Sequence, residues 1–327
     1  MKVLGVAVWG LGQHAINRII PALTSINEVS LVGVCSRDTL SVSVCSKRLN
    51  CAGWTDEDEM LRSSEVDVVC ISTPIGIHAK QAKKIIEAGK NVWCEKPLTC
   101  NYNDTKYLVD LARKSNKILS EGLMYLHHPQ FKKLEDFISN ELNGHVHSVV
   151  CRFGIPDLDK PGFRNNPKLC GGAFWDLAVY TVSAALALFP NQEVKVLYSE
   201  IISKENSNVD TSGRALLKFS KGTLVFLEWA VGVSYKNEID LWSENKSIYT
   251  DKIFSKPEEY LPLFHIRDKQ GKEVIENGEK SEQFIDMFRN YYSMFHSPIK
   301  LNQEFENIPF RSRVMDEIFH FTDIGYE

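Results

Sequence analysis

Gly10-Leu11-Gly12-Gln13-His14-Ala15 lies between an apolar run, Lys2 to Val8, and a helical pattern carried by Ile16, Ile19, Ile20 and Leu23. Strand, glycine turn and helix in that order place a G-x-G-x-x-A pattern in the context where it binds dinucleotides. The first glycine permits a tight turn, the second lets the backbone approach a pyrophosphate, and the small Ala15 allows close helix–strand packing. Unpaired N–H groups at the helix N-terminus attract the phosphate charge. Gly10, Leu11, Gly12, Gln13 and His14 are therefore expected along a cofactor. The N-terminal apolar run superficially resembles a short signal peptide, but it leads directly into the glycine turn and reads as the first core strand.

A second strand, Val29 to Cys35, ends about twenty residues past the turn, where the adenosine ribose of a dinucleotide lies. An acidic residue there accepts hydrogen bonds from the NAD ribose, whereas an arginine pairs with the 2′-phosphate of NADP. Ser36-Arg37-Asp38 occupies this place. A guanidinium holds a phosphate bidentately and the Ser36 hydroxyl can add a donor, which favours NADP(H) over NAD(H). Asp38 keeps NAD open, and Arg37 and Asp38 can equally do no more than open the next helix.

Further strands follow the same rhythm. Val66 to Ser72 ends at Thr73-Pro74, with His78 opening a helix that closes at Ala88-Gly89. Asn91 to Cys94 is a buried strand ending in Glu95-Lys96-Pro97, and a helix (Asn103 to Ser115) and a strand (Lys117 to Ser120) complete the unit. Strands alternating with helices predict a doubly wound parallel sheet. Pro97 lacks an N–H and biases its predecessor toward an extended conformation, so Lys96 is presented at a strand tip. Ligands of such sheets bind just outside the carboxyl ends of the strands, which makes Lys96 a candidate catalytic group. Read alone, Glu95 and Lys96 are also compatible with a solvated ion pair.

The second half changes character. Leu123 to Pro129 crosses into it, and a helix is expected over Gln130 to Leu142. A strand over His147 to Phe153 leads into an irregular segment containing Phe163-Arg164. Ala173 to Phe189 is apolar almost all round, the pattern of a buried helix. Asp176, Tyr180 and Ser183 fall at i, i+4 and i+7, on one face. Polar groups on such a helix need partners, either within the core or in a site. After Pro190 a period-two alternation predicts an antiparallel sheet with one face covered by helices, its strands being Val194 to Ile202, Gly213 to Phe219, Gly222 to Val233, Glu238 to Trp242 and Ser247 to Phe254. Its other face needs cover, which a homodimer or homotetramer would supply. Ser281 to His296 reads as an amphipathic helix, and Asp268-Lys269-Gln270-Gly271-Lys272 as a solvated loop.

The totals agree with a globular protein. A chain of 327 residues suggests about two domains, here 1–123 and 124–327. Net charge is −4 without long runs of either sign, so no nucleic-acid or anionic-membrane footprint is expected. No uninterrupted apolar run suggests a membrane span. The 8 cysteines show no C-x-x-C pair and no zinc spacing, which favours a reducing, cytoplasmic compartment and no metal. His127 and His128 are adjacent and share no face, so they make no metal site.

Taken together, Gly10-x-Gly12-x-x-Ala15, Ser36-Arg37, Thr73-Pro74 with His78, Glu95-Lys96-Pro97 and Gly171-Gly172-x-x-x-Asp176-x-x-x-Tyr180 resemble the glucose-fructose oxidoreductase / inositol dehydrogenase / MocA family of NAD(P)-dependent oxidoreductases. The resemblance implies a Rossmann domain followed by an α/β domain with a large open-faced, mainly antiparallel sheet. It implies that Lys96 contacts substrate near the nicotinamide and that Asp176 and Tyr180 complete the catalytic group, Tyr180 standing where many members have histidine. Thr73, Pro74, His78 and Glu95 are implied along the cofactor, and Arg164 near substrate or a cofactor phosphate. Leu126 departs from the arginine many relatives carry there. The expected activity is NADP(H)-dependent interconversion of a hydroxyl and a keto group on a sugar or sugar nucleotide. Lys96 would polarise the substrate oxygen, and either it or Tyr180 would transfer the proton. Alternatives are a dihydrodiol or free aldose dehydrogenase, and a non-catalytic cofactor-sensing regulator.

Overall fold

The computed structural model describes residues 3–142, 145–205 and 207–321. Lys2, placed in the first strand above, lies outside the described residues. The chain forms two compact units, Met1–Leu123 with Phe284–Phe310, and Met124–Gln283 with Arg311–Glu327.

The first unit holds six parallel strands: β1 (Leu4–Trp9), β2 (Val29–Cys35), β3 (Ala52–Trp54), β4 (Val68–Ile71), β5 (Asn91–Glu95) and β6 (Leu119–Gly122). Their spatial order is β3-β2-β1-β4-β5-β6, the order of a doubly wound dinucleotide-binding sheet. Helices on both faces explain why β1 is buried at every position. Cys35, Cys70 and Cys94 are buried free thiols within these strands and pack as small apolar groups. The order reverses between β1 and β4, so the crevice opens beyond their carboxyl ends, at Gly10 and Thr73. The short β3 escapes sequence reading because three residues carry no periodicity.

Residues 284–310 return to this unit, which a single boundary at 123/124 does not describe. Phe288 and Tyr291 pack on the Trp93 indole of β5, with ring centroids 5.4 and 5.8 Å away. Ser120 Oγ of β6 donates to Met294 Sδ at 3.4 Å. The amphipathic pattern at Ser281 to His296 is the imprint of this packing, but periodicity does not say which surface a helix meets.

The second unit is built on an eight-stranded sheet: β7 (Val146–Ile155), β8 (Val194–Ile202), β9 (Ser212–Phe219), β10 (Leu224–Val231), β11 (Lys236–Ser243), β12 (Lys246–Asp251), β13 (Leu263–Asp268) and β14 (Glu273–Asn277). The order is β14-β13-β12-β11-β7-β10-β9-β8, antiparallel except where β7 pairs with β10. The segment Asp268 to Lys272, read as a solvated loop, is the exposed turn of the β13–β14 hairpin, closed by Gly271 N–H to Asp268 O at 3.0 Å. One face of the sheet is covered by the helix that carries Asp176 and Tyr180, and Phe174 lies edge-on to Trp229 of β10 at 5.6 Å. The segment Pro167–Leu188, which contains Lys168 and Asp176, is long and apolar enough by length and composition to cross a membrane, but 83% of its apolar window is buried inside the fold, as in a core helix. On the opposite face Phe226 and Trp242 are exposed beside the Arg152–Glu228 and Arg152–Glu238 ion pairs.

Replacing Phe288 with alanine removes a buried ring against Trp93 and should destabilise the first unit by about 3–5 kcal/mol. Urea unfolding followed by far-ultraviolet circular dichroism checks this. An unchanged midpoint would show that the returning helix does not hold the unit together.

Candidate functional site

The glycine turn shows two different demands for glycine. Gly10 adopts φ +110°, and a Cβ there would lie 2.3 Å from Ser72 O. The turn is thus pressed onto the end of β4, and Gly10 N donates to Cys35 O of β2 at 2.9 Å. A Cβ on Gly12 would meet nothing within 4 Å. Packing therefore does not explain Gly12, whereas space above the first turn of a helix suits a pyrophosphate. The helix begins with a π-helical turn, Ala15–Ile19. These residues fit a dinucleotide, which they would hold through backbone N–H groups at the turn.

At the end of β2 the two charged side chains separate in role. Asp38 caps helix Thr39–Leu49, its carboxylate accepting from Leu40 N at 3.1 Å and Ser41 Oγ at 2.5 Å. The Ser41 hydroxyl bond is the main cause holding the Asp38 carboxyl below its ordinary range. Ser36 Oγ accepts from Asp38 N at 3.3 Å. Arg37 is exposed, and no carboxylate among the described residues pairs with it. Of the two alternatives for this stretch, helix opening belongs to Asp38, and Arg37 remains available to an anion.

His78, Glu95 and Glu121 join the loops at the strand tips. The His78 ring is fully buried, with Nε2 2.9 Å from Thr73 O and Nδ1 3.0 Å from Pro97 O. Burial holds its pKa below the ordinary range, against the two carbonyls that favour the charged ring. A neutral imidazole has a single N–H, so it donates to only one of these carbonyls. The Thr73 hydroxyl donates to Gln81 Oε1 at 2.5 Å, fixing the same loop from a second side. Glu95 Oε1 lies 3.2 Å from His14 Nε2, linking the end of β5 to the glycine-turn helix. Burial raises the Glu95 carboxyl, but the His14 charge and hydrogen bond, with Lys96 and His78, bring it below its usual value. Glu121, which sequence reading passed over, accepts from Leu98 N at 2.9 Å and so anchors the Lys96-Pro97 loop, whose peptide bond is cis. Its one visible signal is a carboxylate between Leu119 and Leu123.

In the second unit Asp176 sits in a π-helical turn, Phe174–Ala178, and Tyr180 in the following helix, Val179–Leu188. π-Helical turns occur often at functional sites. Asp176 is buried, and its Oδ2 accepts from Arg164 Nε at 2.6 Å. Tyr180 is 8% exposed. Its ring is held among Tyr125, Phe153 and Phe254, with centroids 5.8, 5.1 and 5.9 Å away, and its hydroxyl lies 3.9 Å from Met124 Sδ. The polar stripe divides: Asp176 turns to Arg164, while Ser183 Oγ bonds Tyr125 Oη at 2.6 Å in the core. Tyr125 also donates to Tyr180 O at 3.0 Å, a support the sequence did not reveal. No group of metal ligands occurs among the described residues.

Residues 4–123 match an oxidoreductase family with an NAD-binding Rossmann fold, and residues 131–249 match the GFO/IDH/MocA C-terminal domain. The chain belongs to the GFO/IDH/MocA family of oxidoreductases. It is 32% identical over 268 residues to dTDP-3,4-didehydro-2,6-dideoxy-alpha-D-glucose 3-reductase of Saccharopolyspora spinosa, covering 82% of this chain and 80% of that protein. It is 30% identical over 229 residues to D-xylose 1-dehydrogenase (NADP(+)) 2 of Haloferax volcanii, covering 69% and 67%. The fold is that of a 3-ketoreductase from Actinomadura kijaniata solved with NADP and TDP-benzene, with TM-score 0.93, 23% identity and 98% of each chain covered.

Gly12→Ala and Gly10→Ala separate the two demands at the turn. Gly12→Ala should leave the melting temperature of the ligand-free protein unchanged and weaken binding of a nicotinamide dinucleotide at least about tenfold, by blocking backbone approach to the pyrophosphate. Gly10→Ala should lower the melting temperature itself. Calorimetry with and without dinucleotide distinguishes these outcomes.

Proposed function

We propose that this oxidoreductase is an NADP(H)-dependent enzyme that interconverts a keto and a hydroxyl group on a sugar nucleotide. The observation that carries the proposal is the match along 82% of the chain to a reductase of a dTDP-linked keto sugar. Exposed Arg37, beside an Asp38 committed to helix capping, supports NADP(H) through pairing with a 2′-phosphate.

The bound cofactor would supply or accept the hydride, and the chain's residues manage binding and the proton. Ser36 and Arg37 bind the adenosine end, and Gly10 to His14 line the pyrophosphate. Thr73, Pro74, His78 and Glu95 shape the crevice at the strand tips. Lys96 donates to the substrate carbonyl oxygen and stabilises the charge that develops there. Tyr180 protonates that oxygen in reduction and takes the proton in oxidation. The aromatic packing around the Tyr180 ring holds the hydroxyl in one direction. Asp176 orients Arg164 toward substrate. Ketoreductase structures from Actinomadura kijaniata include variants of a lysine and of a tyrosine, the two residue types proposed here for proton management. A homodimer or homotetramer formed through the exposed face carrying Phe226 and Trp242 completes the proposal.

A second reading, a free aldose dehydrogenase, is favoured by the D-xylose dehydrogenase relative. The two differ in whether a nucleoside diphosphate on the sugar is needed for turnover.

Lys96→Met and Tyr180→Phe should each lower kcat by about 10²–10⁴-fold while NADPH affinity stays near that of the wild type. The assay is NADPH oxidation with dTDP-3,4-didehydro-2,6-dideoxy-α-D-glucose, compared with NADP⁺ reduction by free D-xylose. Near wild-type turnover in both variants would sink the assignment. Arg37→Ala should weaken NADPH binding about tenfold or more, as expected for loss of a charged phosphate contact, and leave NADH binding unchanged. Fluorescence titration of the two cofactors checks it.

A further inference from the structure

The helix bearing Asp176 and Tyr180 begins at two adjacent glycines, and each makes room for a different segment. A Cβ on Gly171 would lie 2.4 Å from Arg164 O. A Cβ on Gly172, at φ +110°, would lie 2.0 Å from Asp210 Oδ1. The Asp210 carboxylate therefore occupies the volume a side chain at Gly172 would take. Asp210 comes from the connection between β8 and β9. Its main-chain oxygen accepts from Ala173 N at 3.0 Å, and its Oδ2 accepts from Phe174 N at 2.7 Å. One residue thus satisfies two of the amides that a helix start leaves without intrahelical partners, and sets a carboxylate at the positive end of the helix. Two residues later stands Asp176, bound to Arg164 at 2.6 Å, while Arg164 O accepts from Gly172 N at 2.8 Å.

We infer that Asp210 is a positioning residue for the reaction, fixing the start of this helix and through it the directions of Asp176 and Tyr180. The inference rests on the proposed roles of those two residues. Asp210 itself is not placed against substrate.

The ionisation of Asp210 makes the inference testable. Burial pushes its carboxyl up from 3.8 to about 6, while the Phe174 and Ala173 amides oppose the rise. The charged side chains around it are Arg164, Asp176, Asp157, Lys204 and Glu205, which line the same cavity of about 390 Å³. A carboxyl raised in the fold keeps its proton longer than in the unfolded chain. Its contribution therefore favours the fold below pH 3.8 and is lost as pH rises to about 6. Above that pH the carboxylate is ionised and its bond to Phe174 N is charge-assisted. Protonation weakens this bond at the head of the catalytic helix.

The test compares full-length wild type with Asp210→Asn and Asp210→Ala. In the wild type, the Phe174 amide resonance should titrate with a midpoint near pH 6, and kcat with NADPH and dTDP-3,4-didehydro-2,6-dideoxy-α-D-glucose should fall below the same midpoint. Asparagine keeps an acceptor for Phe174 N, so Asp210→Asn should lose both titrations and keep kcat within about tenfold of wild type at neutral pH, the neutral bond being the weaker. Asp210→Ala should lower kcat by about 100-fold, the scale of a small misplacement of catalytic groups, without changing NADPH affinity, and should shift the ¹³C signal of the Tyr180 ring. A Phe174 amide that does not titrate, or an alanine variant with wild-type kcat and an unmoved Tyr180 signal, overturns the inference. Absence of wild-type turnover with this sugar tells against the proposed substrate. The Phe174 and Tyr180 signals then decide the role of Asp210 on their own.

Discussion

Ser72 O stands where residue 10 would carry a side chain, 2.3 Å from the site of its Cβ. That close approach lets the ends of β1 and β4 converge at the point where the strand order reverses. The turn, the Arg37 segment behind β2 and the Thr73 loop behind β4 then border one crevice, and the Gly10 amide ties the turn to Cys35 O as well. Gly12 is free of such pressure, and the open space there fits the phosphate contact proposed for the turn. The same economy of volume recurs in the second unit, where Gly171 and Gly172 admit the Arg164 and Asp210 segments to the head of the helix that carries Asp176 and Tyr180.

Around these contacts, buried polar groups set the loops rather than adding bulk stability. The neutral His78 ring lies between Thr73 O and Pro97 O and donates to one of them, and Glu121 takes the amide of Leu98. Each would cost about 1–3 kcal/mol if left unsatisfied, so the loops that satisfy them are held in one arrangement. Lys96 is thereby carried on a strand tip supported from two sides. Tyr180 is held differently, by aromatic walls and by Tyr125 bonding its carbonyl oxygen. Rigid presentation of this kind suits the proton-transfer role proposed for the Tyr180 hydroxyl.

Period and punctuation made much of this legible. The strand–turn–helix at Gly10, the alternation of strands and helices to Leu119, and the apolar helix at Ala173 are local patterns, and they appear in the structure as read. Lys96 and Tyr180 stood out as candidates because a lysine beside proline at a strand end and a tyrosine on an apolar helix are out of place locally, and the family resemblance supplied their proposed roles. Glu121 and Asp210 were far less visible. Each acts on a backbone amide distant in sequence, 23 residues away at Leu98 and 36 at Phe174, and no spacing rule connects a carboxylate to a remote amide. The β13–β14 hairpin was missed because its charged turn reads the same whether or not the flanking residues pair.

Sequence alone determined the order of most elements, the glycine turn and a set of candidate side chains that includes Arg37, since each depends on covalent geometry, local periodicity or residue chemistry. Only the tertiary structure decided that residues 284–310 return to the first unit, that Asp38 is spent on a helix cap while Arg37 is not, and that Asp176 turns to Arg164. Those outcomes depend on which surfaces meet and which carboxylate reaches which donor. Such choices are made by packing between segments far apart in the chain, where the energy of a contact exists only once both partners are in place.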